Sequence, residues 1–302
     1  MALKQIKNKI AATKKTGKVT KAMEAVSAVK MRKSQERAFL SRPYVHAAMK
    51  ILSRVSQSEA FTSHPLAKKR DAGKILLVVV TSDKGLAGSV NSAVLKEVEK
   101  LKATGATLEM VAVGRKAVEF AAREGIKVVG EYTNVRDEVE LRDTQAIVDK
   151  VLAAYTGDES YEKVEVVYQN FISTFEQTPT VRQVLPIDPG EVHYIMRGIR
   201  PKTGKFSDDV VPPDAVIDHT VEPNPGVVFD ALIPQLVNII IFHAFLESKA
   251  SEHSARMVAM KNATDKSKEV VKSFTIKYNK ARQAKITAEI SEITAGAEAM
   301  KS

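Results

Sequence analysis

The sequence has no cysteine and no tryptophan. The first absence excludes disulfides, thiolate metal sites, a cysteine nucleophile and thiol-based redox control, and it suits a reducing compartment. No run reaches the ~18 uncharged apolar residues that a bilayer span requires. The longest candidate, Leu236 to Leu246, is cut short at His243, so the chain is not expected to cross a membrane. Glycine and proline are missing from the whole of residues 235–295, and nothing there interrupts a helix. At ~1.5 Å per residue such a helix is about 90 Å long, more than a compact domain of this size measures across. Part of it must project and find a partner.

Acidic residues are scarce at the N-terminal end. Residues 1–33 hold ten Lys or Arg against Glu24 alone, +9 of the net +10. A block of this kind suits a nucleic-acid arm, a mitochondrial presequence, or a helix that faces an acidic protein partner. The presequence is disfavoured because apolar periodicity runs through the block into later residues. Leu3, Ile6, Ile10, Thr13, Gly17 and Thr20 recur at steps of three and four, the spacing of a coiled-coil stripe. The small residues at 13, 17 and 20 let a partner backbone approach. The stripe is read onward through Met23 and Val26 toward Leu52, with a kink at Pro43. At the other end Ile286, Ile290, Ile293, Ala297 and Met300 form a second stripe. Antiparallel packing of the N- and C-terminal helices is the simplest way to cover both.

The middle has another texture. Residues 74–81 form a β-branched run that reads as a buried strand, and 108–113, 126–131, 164–171 and 180–186 follow it. Helical patterns at 89–103, 115–123 and 136–155 lie between, so strands and helices alternate as βαβ units do. The fold class is α/β: a long antiparallel coiled coil of N- and C-terminal helices plus a central Rossmann-like domain with a mainly parallel sheet. The expected parts are a helix over 1–60, the α/β domain over 70–190, a Pro- and Gly-rich loop or insertion over 191–226, and a helix over 227–302.

Chemistry is hard to find. The turn Thr81-Ser-Asp-Lys-Gly-Leu-Ala-Gly88 stands where a phosphate loop would, yet it matches neither GxGxxG nor GxxxxGK[ST]. Gly85 and Gly88 are read instead as making a tight strand-to-helix turn. The six histidines are scattered, and His243 and His253 lie ten apart, away from the i, i+4 spacing of a helical metal pair. No catalytic set stands out, and no cofactor is expected. The segment Ala250 to Asp265 is dense in small residues and reads as a place of close helix approach, with Arg256 and Lys261 available to a carboxylate partner.

That segment resembles the signature of the γ subunits of F-type ATP synthases. Residues 278–293 resemble the family's C-terminal helix, and Val19 to Val26 with Lys30 to Gln35 its N-terminal one. Together with the Ser82 to Leu86 turn, these motifs stand in the family's order over most of the chain. The resemblance implies a non-catalytic central stalk that turns inside a ring of three α and three β subunits. Further partners are the ε subunit and the membrane c-ring, at the cytoplasmic face of a bacterial inner membrane. It implies contacts with the ring at Lys18, Lys21, Met23, Lys30, Lys84, Arg256, Arg282, Gln283, Thr287 and Glu292. Two positions depart from the usual Asp-Arg-Gly-Leu-Cys-Gly turn: Lys84 replaces arginine, losing its bidentate fork, and Ala87 replaces cysteine. The segment near 195–220 is longer than in many relatives and, without cysteine, is not the redox switch some photosynthetic members carry. A basic coiled-coil protein associated with nucleic acid is the alternative.

Overall fold

The computed structural model describes residues 3–40, 47, 59–188 and 224–300. The kink expected at Pro43 and most of the segment 191–226 lie outside the described residues. The chain divides into two compact units, Ser27–Arg256 and the pair Met1–Val26 with Met257–Ser302. The boundaries fall inside two long helices, α1 (Leu3–Leu40) and α6 (Pro225–Ala299), and each helix contributes to both units. Pro234 lies within α6 near its start.

The larger unit is built on β1 (Lys74–Val80), β2 (Leu108–Val113), β3 (Lys127–Tyr132), β4 (Tyr161–Phe171) and β5 (Gln177–Leu185). A short helix α2 (Glu59–Thr62) precedes β1. The crossovers are α3 (Val90–Ala103), α4 (Arg115–Glu124) and α5 (Leu141–Gly157). The strand order is β3-β2-β1-β4-β5. Pairs β3/β2, β2/β1 and β1/β4 are parallel, whereas β5 returns antiparallel to β4. The sheet is thus mainly parallel, as its near-continuous apolar strands require of a sheet covered on both faces.

Alternation along β1 sorts its side chains between two cores. Ile75, Leu77 and Val79 meet Val94 and Val98 of α3 and Phe120 of α4. Leu76, Val78 and Val80 meet Ile147 and Val151 of α5 and Ile233, Val237, Ile241 and Phe245 of α6. By length and composition α6 suffices to cross a membrane, yet its apolar stretch is buried against this sheet. Gly114 joins β2 to α4 at φ 85°, and a Cβ there would lie 2.2 Å from the Thr81 carbonyl oxygen. No side chain fits at that crossing.

In the smaller unit α1 and α6 pair antiparallel. The Thr20 and Thr264 hydroxyls share a hydrogen bond of 2.7 Å. A Cβ on Gly17 would lie 3.2 Å from the Ser267 Cβ, and the Lys9 ammonium lies 5.7 Å from the Phe274 ring centre. These contacts fix one register, in which 20, 17, 13, 10, 6 and 3 descend opposite 264, 267, 271, 274, 278 and 281, step for step. Gly17 is small because the helices approach there. Gly17→Val is expected to force them apart and cost about 1–2 kcal/mol in urea unfolding, strain outweighing the gain in helix propensity.

Two expectations about the stripes need correction. Val26 is 54% exposed while Ser27 is 3% exposed. Strict alternation of three and four carries the seam through Glu24, Ser27, Met31 and Ser34, whereas Met23 and Val26 take two steps of three and slide off it. The N-terminal helix also does not cover the C-terminal stripe. Ile286, Ile290, Ile293 and Met300 are all exposed, Ile293 at 72%. In the observed register the described part of α1 ends opposite Ala281. The seam of α6 would continue through 285, 288 and 292, so the isoleucines sit on a different face, since each residue turns the helix by about 100°.

Candidate functional site

Within the larger unit the described residues bring three segments together: the β1–α3 turn, the β3–α5 loop, and α6 from Lys249 to Arg256. The turn is held by side chains. The Ser82 amide donates to Asn91 Oδ1 at 3.0 Å, Asn91 Nδ2 to Ser82 Oγ at 2.8 Å, and Ser82 Oγ to the Lys84 carbonyl at 2.7 Å. Asp83 Oδ1 accepts the Arg115 amide at the start of α4, so the chain's own carboxylate takes the helix N-terminus to which an anion would otherwise bind. Gly88 adopts positive φ as a tight turn needs, but the other left-handed residue is Leu86, not Gly85. Leu86 and Lys84 are both exposed.

Arg256 closes this turn onto α6. It is buried, and its Nη2 donates to Glu252 Oε1 at 2.7 Å and to the Gly85 carbonyl at 3.3 Å. Its Nη1 lies 3.3 Å from His253 Nδ1. A guanidinium only donates, so Nδ1 accepts and the imidazole proton sits on Nε2. That nitrogen faces Asp137 Oδ1 at 3.4 Å. Burial, reinforced by Arg256 and Lys249, pulls the His253 pKa down to about 4 against the opposing pull of Glu252 and Asp137. The ring is neutral at pH 7.

Asp137 gathers more than the histidine. Lys30 of α1 donates to its Oδ2 at 2.5 Å, and buried Lys249 of α6 lies 3.9 Å from Oδ1 while donating to the Val135 carbonyl. Next to it Glu138 takes Lys33 and Arg37, and Arg37 also donates to the Val139 carbonyl. Burial opposes the charge of Asp137. The Lys30 hydrogen bond and the fields of His253 and Lys249 outweigh burial and hold the carboxyl below its usual range.

Three of the residues singled out by resemblance, Lys30, Lys84 and Arg256, therefore lie in one network. The other seven belong to the smaller unit: Lys18 and Lys21 are exposed and Met23 half-buried on α1, and Arg282, Gln283, Thr287 and Glu292 are exposed on α6 beyond its paired part. Arg256 has a carboxylate partner one turn back on its own helix, while Lys261 is exposed. Two small residues of the same segment approach strand backbone: Ser251 Oγ donates to the Gln169 carbonyl of β4, and Ser254 Oγ to the Thr174 carbonyl in the β4–β5 hairpin. Thr264 makes a contact with α1. Asp137, Glu138, Lys249, Glu252 and His253 escaped the sequence reading. The available signal was a run of ionisable residues, Glu247 to Arg256, set among small and apolar neighbours.

The fold and this network define a two-helix coiled coil whose helices are continuous with those of an α/β domain, where charged side chains fasten the helices down. A family profile described as ATP synthase matches residues 2–300. The ATP synthase gamma chain of Geobacter metallireducens is 37% identical over 99% of both chains. That of Pelotomaculum thermopropionicum is 35% identical over the same shares. Among solved structures, a chain of the Tetrahymena thermophila mitochondrial ATP synthase central stalk and c-ring is similar at a TM-score of 0.56 and 26% identity, covering 81% of this chain and 99% of that one. A chain of the Euglena gracilis enzyme shares the fold at a TM-score of 0.65 and 17% identity, covering 99% and 94%. The chain belongs to the ATP synthase gamma-chain family.

Proposed function

We propose that this chain is the rotating central stalk of an F-type ATP synthase, partnered by three α and three β subunits, an ε subunit and the membrane c-ring. The observation that carries the reading is the antiparallel pair of α1 and α6, continuous with an α/β domain, in a chain related to gamma chains from end to end. The nucleic-acid alternative gains nothing from these relatives. The chain would be peripheral to the membrane through the complex, at the cytoplasmic face of a bacterial inner membrane, with ATP chemistry left to the β subunits.

A shaft shifts β-subunit equilibria only if its contact free energy differs between their states. The basic face of α1, with Lys18 and Lys21, and the exposed tract Arg282 to Glu292 supply unequal surfaces as they turn. Arg256 serves the same end indirectly, holding the turn that presents Lys84. Purification from the native membrane tests the assignment, because a stalk co-purifies at one copy per three α and three β subunits. Recovery of the chain without them would overturn it.

The exposed isoleucine stripe gives a sharper test. Replacing Ile286 and Ile290 by Asp should leave the urea midpoint of the isolated chain unchanged, since both side chains are already in water. If an apolar surface of the ring covers this stripe, the same change would put two charges against it and should block assembly or coupled synthesis. A double mutant that assembles and synthesises ATP normally would show that the ring does not cover the stripe.

A further inference from the structure

We propose that Asp137 is the positioning residue that fastens both long helices to the α/β domain, making the β3–α5 loop the joint through which torque enters the shaft. The proposal rests on the reading of the chain as a rotor. Its basis is geometric: Lys30 of α1 bonds one oxygen of the carboxylate, and Lys249 and His253 of α6 face the other. The loop is also gripped on either side. Val135 receives Lys249, while Glu138 and Val139 receive Lys33 and Arg37. Lys30, Lys33 and Arg37 step by three and four, so α1 offers one basic face to this loop.

The apolar stretch of α6 packs on the sheet before this point, but the packing thins around Asp137. A cavity of about 230 Å³ opens here, lined by Lys84, Arg136, Asp137, Lys249 and Glu252. Around this loop the helices are therefore tied to the domain by the ion pairs and hydrogen bonds that span it, in addition to the apolar contacts of α6 with the sheet. The loop itself is firmly seated, because Glu140 and Asp143 form a reciprocal capping box at the start of α5. The Lys30–Asp137 pair is partly exposed, and such pairs contribute little to global stability, with a median of about 0–1 kcal/mol, while buried Lys249 still has Glu252 at 3.7 Å. The loss of Asp137 should accordingly show in stiffness and coupling more than in melting temperature.

The experiment uses the assembled complex with Asp137→Asn, Asp137→Glu and Lys30→Gln, measuring ATP hydrolysis, proton pumping and the torsional stiffness of single rotors from their angular fluctuations. Asp137→Asn should hydrolyse ATP at the normal rate while stiffness and the ratio of pumping to hydrolysis fall roughly twofold, the pairs being lost without unfolding. Lys30→Gln should lie between Asn and wild type, and Asp137→Glu should restore both readings. Stiffness and pumping ratio unchanged in Asp137→Asn overturn the proposal. Should that variant fail to assemble, unchanged stiffness in Lys30→Gln overturns it instead. A wild-type chain that does not rotate at all contradicts the rotor reading, a different result from a rotor insensitive to Asp137.

Discussion

Arg256→Ala is expected to lower the unfolding free energy of the α/β unit by about 3 kcal/mol, the lower end for removing one partner of a buried ion pair. Glu252 would be left buried without its 2.7 Å donor, 3.7 Å from Lys249. The Lys84 and Gly85 carbonyls would lose the guanidinium that closes the turn onto α6. Arg256→Lys should recover part of the loss, because an ammonium keeps the charge without the planar fork that reaches carboxylate and carbonyls together. Urea unfolding followed by circular dichroism reads the effect. Coupled synthesis in membranes should fall with Arg256→Ala more than assembly does. An alanine variant as stable as wild type would show that Arg256 is a surface contact and not a fastening.

The second large effect is a pH dependence concealed in the wild type. Glu247 is buried, and burial pushes its pKa up to about 7 against the pull of Arg182 and the Tyr168 hydroxyl. From pH 4.5 to 7 the folded chain thus holds a proton on Glu247 that the unfolded chain releases, and stability from this group falls as pH rises. His253 has the opposite sign. Its folded pKa of about 4 lies below the ordinary 6.5, so from pH 4 to 6.5 the unfolded chain binds a proton that the folded one refuses. Stability from His253 therefore rises with pH. The two slopes, each about 1.4 kcal/mol per pH unit, cancel over their common window.

Glu247→Gln removes one of them. Its unfolding free energy should fall by about 2 kcal/mol between pH 6.5 and pH 5, the histidine acting alone. His253→Gln should rise by about 2 kcal/mol over the same interval. Parallel, flat profiles for both variants would mean that neither group is perturbed as its surroundings require.

The two halves of the molecule were unequally legible in the sequence. Strand β1 announced itself because six consecutive apolar residues, Ile75 to Val80, suit a sheet covered on both faces. The coiled-coil stripe from Leu3 to Thr20 is equally local, a repeat that one helix states by itself. Its phase was lost at Met23 and Val26, where hydrophobicity pointed one way and three-four geometry the other. Geometry placed Ser27 in the seam, a polar residue that hydropathy alone would not choose. The isoleucine stripe at the C-terminal end misled for a related reason. Spacing shows that residues share a face, but which helix lies opposite depends on register, set by contacts such as Thr20 with Thr264.

The network at Asp137 was out of reach. The helix residues that meet the loop lie more than a hundred residues from it in sequence, Lys30 on one side and Lys249 on the other, and a lone aspartate in a loop carries no periodicity. Arg256 was legible as a residue of consequence through the motif around it. Its burial against Glu252 and the turn became visible only once α6 was laid along the sheet.

Rotation is the central claim, and the absence of native cysteine makes it directly measurable. A Lys96→Cys variant places one thiol on the exposed side of α3 for attachment of a bead or rod. The complex assembled with its α and β subunits is held to a surface through the ring, and ATP is added. The probe should turn in one direction, in steps of a third of a revolution per ATP hydrolysed. A probe that stays still while the same complexes hydrolyse ATP at full rate would contradict the account.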